Sequence, residues 1–262
     1  MRYYAVADTH GYYSILERVL KEVGFFEDKE PSKLIVCGDL LDRGAEAKAL
    51  VDFCLRLAEQ DRLIYLLGNH EDLLVQCLQQ VARGGAYEIA AGMSHHYSNG
   101  TWDTLLQLAE MGEVEAYQNP HELVRRVMRS PFYTRLLPKG IDFFETPHHI
   151  FTHGWLPCLK DGIGPLTKYA YDPDWRAADI SRWQSARWYN GMELACLHRV
   201  TEPGKTVVCG HWHASYGHSK LAHRCTEWGK DAIFSPFDAE GILAIDACTA
   251  ASGRINCVVI ED

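Results

Sequence analysis

The sequence has no Cys-x-x-Cys pair, no run of Lys or Arg longer than Arg125-Arg126, and no apolar stretch near the ~20 residues that cross a bilayer. The first lack removes the usual zinc-ribbon and dithiol-redox signatures. The second, with a formal net charge of −9, argues against grip on a nucleic-acid backbone. The third argues against a membrane span. Met1 to Ala7 reads as a short strand and not as a basic leader with an apolar stretch, so the sequence predicts a cytoplasmic protein. The nine cysteines (37, 54, 77, 158, 196, 209, 225, 248 and 257) are odd in number and mostly set in apolar runs, which predicts buried, reduced thiols. Neither an internal repeat nor a low-complexity tract is visible.

Hydrophobic residues make up 47% and charged residues 23% of the 262, enough for a core of useful size in one domain spanning 1–262. The first third alternates strand, turn and helix. Tyr3–Ala7, Leu34–Cys37 and Leu63–Leu67 read as strands, and Ser14–Val23, Ala45–Ala58 and Glu71–Val81 as helices. That alternation predicts an α/β fold with a parallel sheet. Residues 84–137 are polar and helical in pattern, which predicts a helical insertion or cap containing Trp102–Met111 and His121–Met128. Strands return at Asp142–Glu145, His149–Thr152, Thr206–Cys209, Ile242–Asp246 and Ile255–Ile260, and 154–204 reads as mostly irregular.

Five polar motifs follow strands in order: Asp8-Thr9-His10, Gly38-Asp39-Leu40-Leu41-Asp42-Arg43-Gly44, Gly68-Asn69-His70-Glu71, Thr152-His153-Gly154 and Gly210-His211-Trp212-His213. The carboxyl ends of strands are where open α/β sheets bind ligands. Asp, Asn and His converging there suit a metal site of oxygen and imidazole donors. Taken singly, each has an ordinary explanation: Asp and Asn cap helices, a buried His is often only hydrogen-bonded, and Glu71 suits a helix N-terminus. Trp155, Trp175, Trp183 and Trp188 could line a substrate groove or form a buried cluster. The adjacent pairs His95-His96 and His148-His149 are expected to diverge and not to share a ligand.

The ordered set DxH, GDxxDRG, GNHE, H and GH resembles the phosphoprotein phosphatase branch of the calcineurin-like metallophosphoesterases, which includes lambda phosphatase, bacterial Ser/Thr protein phosphatases and symmetrical diadenosine tetraphosphatases. The resemblance implies a four-layer α/β/β/α sandwich and two divalent metal ions, with manganese first and iron, zinc or nickel as alternatives. It implies that Asp8 and His10 hold one ion, that Asp39 bridges both, and that Asn69, His153 and His211 hold the other. His213 matches a position that joins the first ion in the wider class. His70 matches the general acid, Asp42 its orienting partner and Arg43 a phosphate clamp. Asn69 and His70 also border the phosphate. A second clamp falls on Arg187, with Arg182 as competitor.

The implied reaction is in-line attack of a metal-bridging hydroxide, with no phosphoenzyme. Two divalent ions against the carboxylates of Asp8 and Asp39 and one hydroxide leave a net positive centre, as a phosphate dianion requires. The implied substrate is phosphoserine or phosphothreonine in a protein, or a small phosphoester. The alternatives are a symmetrical diadenosine tetraphosphatase or other phosphoanhydride or phosphodiester hydrolase, and a catalytically silent metal-binding scaffold.

Overall fold

The computed structural model describes residues 1–91, 94–162, 164 and 167–262, and the side chains of 85–91 are not described. Parts of the predicted insertion (92–93) and of the stretch read as irregular (163, 165–166) therefore lie outside the described residues. In chain order the strands are β1 (Arg2–Val6), β2 (Ser32–Cys37), β3 (Leu63–Leu66), β4 (Phe143–Glu145), β5 (His149–Thr152), β6 (Leu159–Asp161), β7 (Lys168–Ala170), β8 (Thr206–Cys209), β9 (Phe237–Ala239), β10 (Ile242–Ala244) and β11 (Cys257–Glu261). The helices are α1 (Tyr13–Glu22), α2 (Ala47–Glu59), α3 (Asn69–Ala91), α4 (Ser94–Ser98), α5 (Thr101–Ala109), α6 (Glu113–Gln118), α7 (Pro120–Arg129), α8 (Ile180–Ala186) and α9 (Gly191–Cys196).

Two sheets carry the architecture. One runs β11-β1-β2-β3, and the other runs β4-β5-β8-β10-β9. In the first, β1, β2 and β3 are parallel and β11 joins β1 antiparallel, with Arg2 opposite Glu261. In the second, β5, β8 and β10 are parallel, so their carboxyl ends also lie at one edge.

Each central strand is buried on both faces, and its period of two feeds two different cores. Tyr4, Val6, Leu34 and Val36 point to a core under helices α1, α2, α3, α5 and α7. Tyr3, Ala5, Ile35 and Cys37 point the other way and meet Phe151 and Val208 of the second sheet. The second sheet turns Ile150, Val207 and Ile242 outward, onto Trp155, Trp175, Trp183 and Met192. The result is helices, sheet, sheet, helices: the expected α/β/β/α sandwich.

The described residues of 84–137 are largely helical and do not stand apart from the rest of the fold. Trp102, Leu105, Leu123 and Val127 are buried in the same core as α1 and α2, so this segment thickens the outer helical layer of the first sheet. It ends in a π-helical turn, Phe132–Leu136. The 154–204 stretch holds more order than its composition suggests: the β6–β7 hairpin, α8 and α9. Trp155, Trp175 and Trp183 are buried core, and Trp188 is 47% exposed.

Candidate metal centre

The five motifs meet at the carboxyl edges of the two sheets. Asp8 and His10 follow β1, Asp39 to Arg43 follow β2, Asn69 and His70 open α3 after β3, His153 follows β5, and His211 follows β8. Asp8, His10, Asp39, Asp42, Arg43 and His211 all have left-handed backbone, with φ of 52°, 48°, 51°, 75°, 65° and 66°. Such strain costs about 1–3 kcal/mol per residue and gathers at functional sites. The motif glycines are there for clearance. A Cβ on Gly38 would lie 2.5 Å from His153 Nδ1, and one on Gly68 would lie 2.2 Å from Asp39 Oδ1.

Hydrogen bonds fix the imidazole tautomers. His10 Nδ1 donates to the Leu41 carbonyl at 3.0 Å, and His153 Nδ1 donates to the Cys37 carbonyl at 2.8 Å. Each Nε2 is left with its lone pair, which in His10 accepts an Arg43 N–H and in His153 faces only oxygen atoms. Burial holds His10 well below the ordinary histidine pKa, lowers His153, and brings His211 down to about 3, so all three are neutral, ligand-ready imidazoles.

The donor set is electron-rich. His153 Nε2 faces Asn69 Oδ1 at 2.9 Å and Asp39 Oδ1 at 3.2 Å, with no proton available between them. A cation among these atoms would satisfy all of them. Two compact groups form in this way, His10–Asp39–His70 and Asp39–His153–His211, with ligand atoms within 4.8 Å of one another in each. Asp39 belongs to both. Its Oδ2 is 3.8 Å from the Nε2 atoms of His10 and His70. The residues present therefore fit a pair of divalent ions sharing one carboxylate.

Asp8 lies against this cluster without joining either compact group. Its carboxylate accepts the His211 N–H at 2.9 Å, and its carbonyl accepts Thr249 Oγ1 at 2.7 Å. Burial, then Asp246 and Asp39, push its pKa well up. His70 Nδ1 donates to Asp42 Oδ2 at 2.7 Å, and Thr101 Oγ1 donates to the same oxygen at 2.7 Å. Burial pulls the His70 pKa down, but Asp39 and the Asp42 hydrogen bond outweigh it and the net shift is upward. Arg43 Nη1 donates to His10 Nε2 at 2.8 Å and its Nη2 lies 3.2 Å from His70 Nε2, so the guanidinium charge sits beside both rings.

Two expected residues are engaged elsewhere. His213 Nδ1 bonds Ser215 Oγ at 2.8 Å, and its Nε2 faces Glu227 at 3.5 Å, outside both compact groups. Both residues lie past the end of β8, where the left-handed backbone of His211 (φ 66°) breaks the strand and His213 opens the turn at Ala214–Tyr216. Arg187 does not present a free guanidinium. Its Nη1 donates to both oxygens of Asp72 at 2.6 and 2.7 Å, and its Nη2 donates to Asp142 at 2.6 Å, all with the side chain 3% exposed. Arg182, the competitor, pairs with Asp172.

The structure also adds residues. Glu71 does more than favour a helix start: its carboxylate accepts the N–H groups of Gly68 at 2.7 Å, Asp39 at 3.1 Å and Leu40 at 3.0 Å, tying the loops after β2 and β3 together. Asp246, buried at the end of β10, accepts the Cys248 N–H at 2.6 Å, and burial pushes its pKa up to about 7. The sequence predicts Asp246 inside a strand, 242–246, but β10 ends at Ala244, which leaves this acid past a strand end like those of the motifs. Thr101 and Thr104, which bond Asp42, carried no such signal.

The calcineurin-like phosphoesterase family model matches residues 1–215. The chain belongs to that family. Relatives of this calcineurin-like phosphoesterase include symmetrical bis(5'-nucleosyl)-tetraphosphatases from Nitrosococcus oceani, 29% identical over 44% of this chain and 35% of the relative, and from Delftia acidovorans, 32% identical over 35% and 31%. An asymmetrical bis(5'-nucleosyl)-tetraphosphatase, PrpE, from Anoxybacillus flavithermus is 32% identical over 28% of this chain and 33% of its own. These matches span about a third of each relative's length. The solved cold-active protein-tyrosine phosphatase of a psychrophilic Shewanella shares the fold, with a TM-score of 0.50 at 14% identity over 100% of this chain and 75% of that one. Among the described residues no helix is long and apolar enough to cross a membrane.

Proposed function

We propose that this calcineurin-like phosphoesterase hydrolyses phosphoesters with two divalent ions held across Asp39. Asp8, His10 and Asp39 would hold one ion, and Asp39, Asn69, His153 and His211 the other. The observation that carries this reading is that Asp39 is shared between two compact donor groups, one with His10 and His70 and one with His153 and His211. When bound, such ions supply Lewis-acid polarisation of phosphate oxygens and an acidified water.

The chain's own groups do the rest. Arg43, whose guanidinium sits beside His10 and His70, would bind phosphate oxygens through its N–H groups on releasing those rings. His70, held in one tautomer by Asp42, turns Nε2 toward the cluster and carries the proton to the leaving oxygen as its bond to phosphorus breaks. His213 is left out of this scheme because it lies outside both donor groups, and Arg187 because both its Nη atoms are held by the carboxylates of Asp72 and Asp142. The intact His70–Asp42 pair argues against a silent scaffold.

Two substrates fit. The ordered motif set supports phosphoserine or phosphothreonine in proteins. The tetraphosphatase relatives support a dinucleoside polyphosphate. The test is to strip the protein with chelator, assay a phosphoserine peptide and diadenosine tetraphosphate, and then add manganese, iron, zinc or nickel singly. The expected result is loss of both activities and recovery with at least one ion, the faster substrate deciding between the two readings. Full activity in verified metal-free protein overturns the proposal.

A further inference from the structure

Beside His211 lies a cavity of about 210 Å³ whose walls include Tyr169, Trp188, Tyr189, Asn190, His198 and Trp212. The Trp188 ring meets the His211 ring at 5.8 Å and 83°, and Trp212 is the next residue in the chain. Trp188 is 47% exposed and Trp212 is half-buried, whereas Trp155, Trp175 and Trp183 are core. The far wall is made of rings set nearly at right angles: Tyr169 meets Tyr189 at 5.9 Å and 67°, and meets His198 at 5.1 Å and 72°. Lys160 Nζ sits 4.4 Å over Tyr189, holding that ring by a cation–π contact.

One polar group in this wall is unused. Asn190 is 9% exposed, and its Oδ1 accepts the Glu193 N–H at 3.3 Å to cap α9. Its Nδ2 is buried and has no hydrogen-bond partner among the described residues. A buried amide N–H left unpaired costs about 1–3 kcal/mol, and an acceptor arriving with a ligand recovers part of that.

We propose that this cavity is a subsite for a nucleobase on the leaving group of the substrate, stacked on Trp188 and reached by the Asn190 amide. The inference rests on the hydrolase reading above and names its substrate class. The volume is below the ~300–1,000 Å³ of a whole-ligand pocket, so it suits one ring system attached to a phosphate held at the metals. A phosphoserine leaving group brings no ring to fill it. A tyrosine ring brings no ring nitrogen to accept from Asn190, whereas a purine brings both ring and acceptor.

The test uses the full chain and has two readouts. Adenosine, which carries no phosphate to hydrolyse, is titrated against the tryptophan fluorescence of wild type, Trp188→Leu and Trp188→Phe. Separately, kcat/KM is measured with added divalent ion for diadenosine tetraphosphate, a phosphoserine peptide and a phosphotyrosine peptide. The expected result is saturable quenching by adenosine, weakened at least tenfold in Trp188→Leu and largely restored in Trp188→Phe. The ratio of kcat/KM for the dinucleotide to that for the phosphoserine peptide should fall about tenfold in Trp188→Leu, through KM. No adenosine binding, or a ratio that stays within threefold, overturns the subsite while leaving the hydrolase reading in place. A parallel fall for the phosphotyrosine peptide without adenosine binding overturns the nucleobase assignment. Absence of hydrolysis of every phosphoester with ions bound sinks the parent reading instead, and adenosine quenching still reports on the cavity.

Discussion

Glu71 shows how one side chain outside the donor set can govern the centre. Its two oxygens accept three backbone N–H groups, from Gly68, Asp39 and Leu40, at 3% exposure. Burial and the Asp39 charge push its pKa up to about 7, against the pull of those donors. Three donors facing one carboxyl demand an acceptor-only group. Glu71→Gln keeps the shape but turns an NH2 toward one or more of them, leaving buried donors unpaired at about 1–3 kcal/mol. The loops that position Asp39, Asn69 and His70 then lose their common anchor. The expected outcome is a drop of about 1–3 kcal/mol in urea-unfolding stability and a fall of at least tenfold in kcat, with KM changed less. A variant with native stability and native kcat would show that the strand-end loops hold themselves. Arg187 works at the same scale in a different sense: its two carboxylate partners make it a strut between α3 and the approach to β4, a role invisible from a phosphate-clamp reading of its surroundings.

Elements of the second half are joined by a charge network as well as by apolar packing. Glu145 of β4 accepts Arg176 Nε at 2.9 Å and pairs with Lys205 at 2.8 Å, while Arg176 Nη2 also reaches Glu202 at 2.7 Å. The Arg176 hydrogen bond, with Lys205 adding to it against burial, lowers the Glu145 pKa from 4.5 to about 2. Folded protein therefore binds fewer protons here than unfolded protein, so this stabilisation is full above about 4.5 and is lost as pH falls through about 2. With both partners partly solvated, it amounts to about 1 kcal/mol. Wild type and Glu145→Gln, compared by urea unfolding, should differ at pH 6 and converge as pH approaches about 2. A constant gap across that range would remove ionisation as the cause. This half was also the harder one to read from sequence. β1, β2 and β3 announce themselves because parallel strands buried on both faces are unbroken apolar runs, and the loops after them carry the site. β6, β7 and β9 are three residues each, with β6 fully exposed, so they leave no periodic trace. α8 and α9 span 7 and 6 residues, too short for an apolar stripe to stand out. The partners of Arg187 lie 115 and 45 positions away, which no local pattern reveals.

At the scale of the whole molecule, the centre is a seam. Asp8, Asp39 and Asn69 come from the first sheet and His153 and His211 from the second, so ions held by both sets would clamp the two sheets together. The same seam gathers carboxylates: Asp8, Asp39, Asp42, Glu71 and Asp246 are each no more than 5% exposed, in a chain whose formal net charge is already −9. Arg43 faces the cluster, but the buried Arg187 is neutralised by Asp72 and Asp142. Without further positive charge these acids repel one another or take up protons, as the raised pKa values of Asp8 and Asp246 express. Divalent ions should therefore stabilise the entire fold and not only the loops that touch them. Mass action gives about 4 kcal/mol at ~1,000 times the dissociation constant. Calorimetry of metal-free protein titrated with manganese should show a single unfolding transition whose Tm rises with ion concentration. His211→Ala, which removes a donor from the second sheet, should lose at least half of that rise. If the ion moves only one of two separate transitions, or if His211→Ala gains as much as wild type, the ions are held by the first sheet alone and the seam is not their site.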